Sequence, residues 1–155
     1  MKKAAGILLY RSRDNILQFF LVHPGGPFWK NKDEGAWTIP KGELNENEDP
    51  LEAAKREFME ETGIEVRGEF LPLEPVKQKS GKTVYAWACE MDIDEKLIVS
   101  NTFQLEWPPK SGKYIDVPEV DRAGWFDLET ASGKINPAQE SLLHQLNEKK
   151  KATNK

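Results

Sequence analysis

The sequence predicts an α/β domain of the α+β kind, and three observations carry that reading. Apolar, β-rich runs lie on either side of one helix, that helix has both of its ends written in the chain, and an amphipathic stretch closes the sequence. The 155 residues, 38% hydrophobic and 31% charged, suit a single globular domain over residues 1–150, large enough to bury a core, with a frayed tail over 151–155.

Ala4 to Tyr10 and Gln18 to His23 are apolar and β-rich, and Arg11-Ser12-Arg13-Asp14-Asn15 between them has turn composition, which predicts a hairpin. A Gly/Pro-rich loop, HPGGPFWKNKDEG, comes next; Trp37 to Ile39 then predicts a short strand ending at Pro40-Lys41-Gly42. Past the polar stretch Glu43 to Glu48, Asp49 is an N-cap and Pro50 suits the first helical position. Glu52 completes a capping box and Gly63 offers a left-handed stop, so the helix covers residues 50 to 62. Ile64 to Leu71 and Thr83 to Met91 predict strands. In the second, Tyr85, Trp87, Cys89 and Met91 alternate with Val84, Ala86 and Ala88, so both faces are covered. Asp92 to Val117 shows no regular element, being interrupted by Trp107-Pro108-Pro109. Trp125-Phe126-Asp127 predicts a last short strand, and Pro137 to Lys149 a helix that buries Leu142, Leu143 and Leu146.

A net charge of -4 gives no global basic field, so neither DNA nor an anionic membrane is an expected partner. The lone cysteine, Cys89, lies in an alternating apolar run and reads as a small core residue, which fits a reducing cytoplasm. Two lysines precede the first apolar run, but that run ends at Tyr10-Arg11 without a cleavage-like segment. No apolar stretch approaches the roughly 20 residues of a membrane-spanning helix.

The helix carries REFMEETG, in which Glu57, Glu60 and Glu61 project from one face. Like charges at this spacing destabilise an isolated helix by roughly a few tenths of a kcal/mol per pair, so folding alone gives no reason for them. Taken alone, the octapeptide reads equally well as an exposed acidic face balanced by Lys55 and Arg56 or as a site for a hard divalent cation such as Mg²⁺. Ala53 and Ala54 leave room for a ligand to approach.

The wider window decides between the two. Gly42, Glu48, Arg56, Glu57, Phe58, Glu60, Glu61, Gly63 and Ile64 follow the order glycine, five residues, glutamate, seven residues, Arg-Glu-apolar-x-Glu-Glu-x-Gly-apolar. This resembles the complete signature of the Nudix hydrolase family over residues 42–64. The implied fold is the Nudix fold, a mixed β-sheet sandwiched between helices. The implied activity is Mg²⁺-dependent hydrolysis, with Mn²⁺ as a substitute, of a nucleoside diphosphate linked to another moiety. The expected partner is a small-molecule nucleotide, and the oligomeric state stays open.

Carried over by the resemblance, Glu57 and Glu61 are metal ligands and Glu60 a third, with a loop carbonyl at or beside Gly42 completing the set. Arg56 orients Glu57 or Glu48 through a bidentate salt bridge, and Glu48 supports the ligands from behind. Glu57 is the first choice of general base. Glu119, which also reads as an ordinary loop carboxylate, is the second choice and a further metal ligand. Trp37-x-x-Pro40-Lys41-Gly42 resembles asymmetric diadenosine tetraphosphate hydrolases and diphosphoinositol polyphosphate phosphohydrolases and, in its longer context, bacterial predicted nucleoside triphosphate pyrophosphohydrolases. Dinucleoside polyphosphates therefore rank first as substrate and nucleoside triphosphates, oxidised ones included, second. A non-catalytic nucleotide sensor and an RNA-end processing enzyme are the other readings. Lys41 is expected to contact polyphosphate, Phe28 and Trp29 to line a nucleotide pocket, and Gln139 to read a base as in some relatives. His23, His144, Trp37 and Trp87 read as structural residues.

Overall fold

The computed structural model describes residues 2–153. Strands β1 (Lys3–Arg13) and β2 (Ile16–Pro24) form the expected hairpin. Its turn is shorter than the composition indicated, because Asp14 and Asn15 both take positive φ, 52° and 65°, the two-residue geometry that matches strand twist. The strand expected at Trp37–Ile39 is reduced to isolated bridges, and the regular strand, β3 (Lys41–Glu43), begins after Pro40. Helix α1 (Pro50–Thr62) has the ends read from the sequence: the Asp49 side chain accepts from the Glu52 amide at 3.2 Å, and Gly63 closes the helix at φ 75°.

Residues 64–70 are a loop rather than the expected strand. Ile64, Val66 and Phe70 are apolar because they pack beside α1, not because they pair. The strand comes later, as β4 (Leu71–Lys77), an edge strand whose outer position tolerates Pro72 and Pro75. Beyond β5 (Thr83–Glu90) and a 3₁₀ turn (Glu95–Leu97), the unread segment folds into a separate hairpin, β6 (Thr102–Glu106) with β7 (Tyr114–Pro118). The short strand expected at 125–127 is the end of a longer one, β8 (Val120–Phe126), and Asp127 instead caps helix α2 (Leu128–Lys134). A 3₁₀ turn (Pro137–Gln139) leads into α3 (Glu140–Thr153). Of the tail expected to fray, residues 151–153 continue this helix, and 154 and 155 lie outside the described residues.

The main sheet runs β4-β5-β1-β2-β8, with β3 also paired to β1. It is mixed, because β1 runs parallel to β5 and antiparallel to β2 and β3. One face packs Leu8, Phe19 and Leu21 against Leu142, Leu143 and Leu146 of α3. The other packs Ile7, Leu9 and Phe20 against Ala53, Ala54 and Phe58 of α1. Burial on both faces explains why Ala4 to Tyr10 is continuously apolar. In β5 the alternation holds, with Val84, Ala86 and Ala88 toward α3 and Tyr85, Trp87 and Cys89 toward α1. This is the expected α+β sandwich, and it presents the polar face of α1 beside the loops that leave β2 and β7.

Candidate active site

Helix α1 places Glu57 and Glu61 one turn apart, and both side chains are buried. Glu119, between β7 and β8, faces them, and carboxylate oxygens of the three lie within 4.8 Å of one another. Three glutamates so close repel, and burial adds to the cost. Desolvation first, then Glu119 and Glu57, pushes Glu61 up to about 9. Burial also raises Glu57, against the pull of Arg56, and burial together with Glu60 raises Glu119. A divalent cation would relieve all three, and carboxylate oxygens are the donors a hard cation takes.

Arg56 holds the cluster from behind. Its Nε and Nη2 donate to the two carboxylate oxygens of Glu48, both at 2.9 Å, which is the planar fork expected of an arginine at this position. Nη1 donates to Glu57 at 2.8 Å and to Glu60 at 3.1 Å, and Nη2 also reaches the Glu43 carbonyl. The Arg56 guanidinium holds the Glu48 carboxyl down at about 2. Glu60 is turned toward Arg56 and stands outside the three-carboxylate group formed by Glu57, Glu61 and Glu119. Gly42 is required sterically, since a β-carbon there would overlap the Glu57 carboxylate.

A cleft of about 500 Å³ opens in front of Glu61 and Glu119 and is walled by Trp29, Thr38, Lys41 and Phe103. Lys41 donates its backbone amide to Glu61, and its ammonium is shifted down by burial and then by nearby Lys82. Trp29 lines the cleft. Phe28 is not among the lining residues: it is 58% exposed and meets Trp29 edge-on at 5.1 Å. Gln139 is fully buried and cannot meet a base there. Its Oε1 accepts from the Ile39 amide at 3.1 Å and its Nε2 donates to Thr38 Oγ1 at 2.9 Å, so it fixes the chain leading to Lys41. Trp37 is buried and Trp87 packs at the margin of the core, while His144 pairs with Glu140 on the surface.

Two features escaped sequence reasoning. Phe103 belongs to the hairpin hidden behind Pro108-Pro109, although Phe103 and Leu105 alternate as a strand face should. Residues 99–101 form a bracket: the amides of Val99 and Asn101 donate to the last carbonyls of α1, Thr62 at 2.8 Å and Glu60 at 2.9 Å. On the other side, the Asn101 carbonyl accepts from Glu119 N at 3.0 Å and Ser100 Oγ from Val120 N at 3.0 Å. The bracket locks Glu119 onto the helix that carries its partners. Its bonds are made largely by backbone atoms, which leave no mark in residue type.

Two buried helix carboxylates, a third across a cleft and an arginine fork behind them suit a hydrolase that acts on phosphoanhydride bonds with a divalent cation. The NUDIX domain family model matches residues 1–146, and the chain belongs to the Nudix family. It is 40% identical over 115 residues to the asymmetrical bis(5'-nucleosyl)-tetraphosphatase of Rattus norvegicus, covering 66% of this chain and 74% of that protein. Its fold matches the crystal structure of a C. elegans Ap4A hydrolase binary complex with a TM-score of 0.63 at 24% identity, covering 95% of this chain and 96% of the other. The NUDIX domain of Shewanella oneidensis NrtR complexed with ADP ribose superposes with the same TM-score at 17% identity, over 95% of this chain and 86% of that one. Among the described residues, no helix is long and apolar enough to cross a membrane.

Proposed function

We propose that the protein is a Mg²⁺-dependent pyrophosphohydrolase of dinucleoside polyphosphates, with Mn²⁺ as a working substitute, acting in the cytoplasm. The observation that carries this reading is the junction of the Glu57, Glu61 and Glu119 cluster with a cleft that offers a cation, Lys41, and two aromatic walls, Trp29 and Phe103. A nucleobase fits between the aromatic walls, and the polyphosphate then runs past Lys41 to the carboxylates.

Glu57, Glu61 and Glu119, with the backbone beside Gly42, would hold the cation, which supplies charge neutralisation on the phosphate oxygens and a more acidic water. Glu57 accepts the proton of the attacking water. The water oxygen bonds to phosphorus while the bridging oxygen leaves with the departing phosphate. Arg56 keeps the Glu57 carboxylate aimed, and Glu48 keeps Arg56 in its rotamer. The three-carboxylate group and its arginine are complete, which disfavours a sensor without turnover.

A cleft of about 500 Å³ has room for one nucleoside rather than two, and this supports a second reading, hydrolysis of nucleoside triphosphates. A panel of dinucleoside polyphosphates, ordinary and oxidised nucleoside triphosphates, nucleotide sugars and ADP-ribose, compared by kcat/KM with Mg²⁺, separates the two. The first reading expects diadenosine tetraphosphate to lead the panel, giving ATP plus AMP with oxygen from labelled water in one product. It also expects Lys41→Ala to slow that substrate more than ADP-ribose. Equal losses on both, or a clear preference for a mononucleoside triphosphate, would favour the second reading.

A further inference from the structure

His23 is fully buried in β2, and each of its ring nitrogens meets an acceptor. Nδ1 lies 2.9 Å from Oδ1 of Asp121 on β8, and Nε2 lies 2.6 Å from the carbonyl oxygen of Lys32. These contacts join the two sides of the cleft. Lys32 belongs to the loop after β2 that carries Trp29, and Asp121 lies two residues beyond Glu119.

The ends of this loop are tied elsewhere. Gly25 N donates to the Glu119 carbonyl at 3.1 Å, where the loop passes so close to Pro118 that a β-carbon at Gly25 would collide with its carbonyl. Asp33 accepts from Lys134 Nζ at 2.9 Å and from Trp37 Nε1 at 2.7 Å. Between these anchors, Trp29 N donates to Gly26 O and Lys32 N to Trp29 O, and the Lys32 ammonium lies over the Phe28 ring. Those contacts stay within the loop. Among the described residues, the hydrogen bond that fastens positions 27–32 to the body of the domain is the one from His23. Each ring nitrogen has its own partner, so the two ties can be separated by substitution. A side chain with an amide at just one of those positions would keep one tie and lose the other.

We propose that His23 is a positioning residue for nucleotide binding: through Lys32 it holds the Trp29 wall at a fixed separation from the strand behind Glu119. The inference rests on the reading of Trp29 as part of the nucleotide cleft. Fixing that wall affects the binding of a base and leaves the chemistry at the carboxylates largely alone.

The test uses two variants of the whole chain. His23→Asn keeps an amide near the Nδ1 position, facing Asp121, and loses Lys32; His23→Gln keeps an amide near the Nε2 position, facing Lys32. His23→Asn should raise KM for the preferred nucleotide about tenfold while kcat stays within about threefold. The inhibition constant of inorganic tripolyphosphate, which has no base, should stay within about twofold, and His23→Gln should return KM toward wild type. An unchanged KM in His23→Asn, an equal rise in both variants, or a parallel rise for tripolyphosphate would overturn the proposal. If His23→Asn shows no cooperative melting, His23→Gln decides, and a tenfold rise in its KM overturns the proposal. A wild-type protein inactive on every nucleotide would overturn the functional reading and this inference with it. An active wild type with unaltered KM in His23→Asn overturns this inference alone.

Discussion

The carboxylate of Glu57 fills the space beside Gly42 where a β-carbon would stand. Strand β3, at Gly42, and helix α1, at Glu57, thus meet at two positions fifteen residues apart in the signature, with only the Glu57 carboxylate between their backbones. Gly42 lies in extended strand, a conformation alanine adopts freely, so the need for glycine there is steric rather than conformational. Gly42→Ala should fold, displace Glu57 and lower kcat by roughly 10²-fold, the scale expected for a misplacement of about 1 Å. Steady-state kinetics with thermal melting checks this, and wild-type kcat in a folded variant would contradict it.

Arg56 spends its planar fork on Glu48 and its remaining Nη1 donor on Glu57 and Glu60. Lysine keeps the charge and cannot span both Glu48 oxygens while reaching Glu57. Arg56→Lys should lower kcat by roughly 10- to 100-fold, the usual cost of removing a residue that orients a metal ligand. Equal activity in the two proteins would remove the orienting role.

Burial and its neighbours push Glu61 from 4.5 up to about 9, and the sign of the resulting pH dependence follows. As pH rises past 4.5 the unfolded chain releases this proton while the folded protein retains it, so the metal-free fold loses stability until pH passes about 9. Metal-free Tm should therefore fall over this range, and Glu61→Gln should flatten the fall. Mg²⁺ needs the ionised carboxylates, so it should raise Tm more near the upper end of the window than near the lower. Melting curves with and without Mg²⁺ test this, and the same pH slope in wild type and Glu61→Gln would contradict it.

The part of the fold legible in the sequence was the part written in local chemistry. Helix α1 was readable from Asp49, Pro50 and Gly63, and its carboxylates from their spacing, because caps and helical faces depend on near neighbours. Residues 64–70 were misread because apolar side chains that cover a helix from a loop have the same composition as a strand. The bracket at 99–101 was invisible because it works mainly through amides and carbonyls that every residue has. Gln139 was misplaced for another reason: a position near the start of the last helix indicates nothing about whether an amide faces the cleft or, as here, the chain at Thr38 and Ile39. Glu119 was found in outline, but its place beside Glu57 and Glu61 depends on the hairpin that Pro108-Pro109 concealed.

The grouping of the Glu57, Glu61 and Glu119 carboxylates within 4.8 Å, with Glu60 turned to Arg56, predicts one metal site that leaves Glu60 out. Calorimetric titration with Mn²⁺ of the wild type and of the four single Glu→Gln variants tests it most directly, with kcat measured on the same samples. Glu57→Gln, Glu61→Gln and Glu119→Gln should each weaken Mn²⁺ binding by roughly tenfold or more, and the first two should lower kcat by roughly 10²-fold, while Glu60→Gln keeps near wild-type affinity. Undiminished Mn²⁺ affinity in Glu57→Gln and Glu61→Gln, or a loss confined to Glu60→Gln, would contradict it.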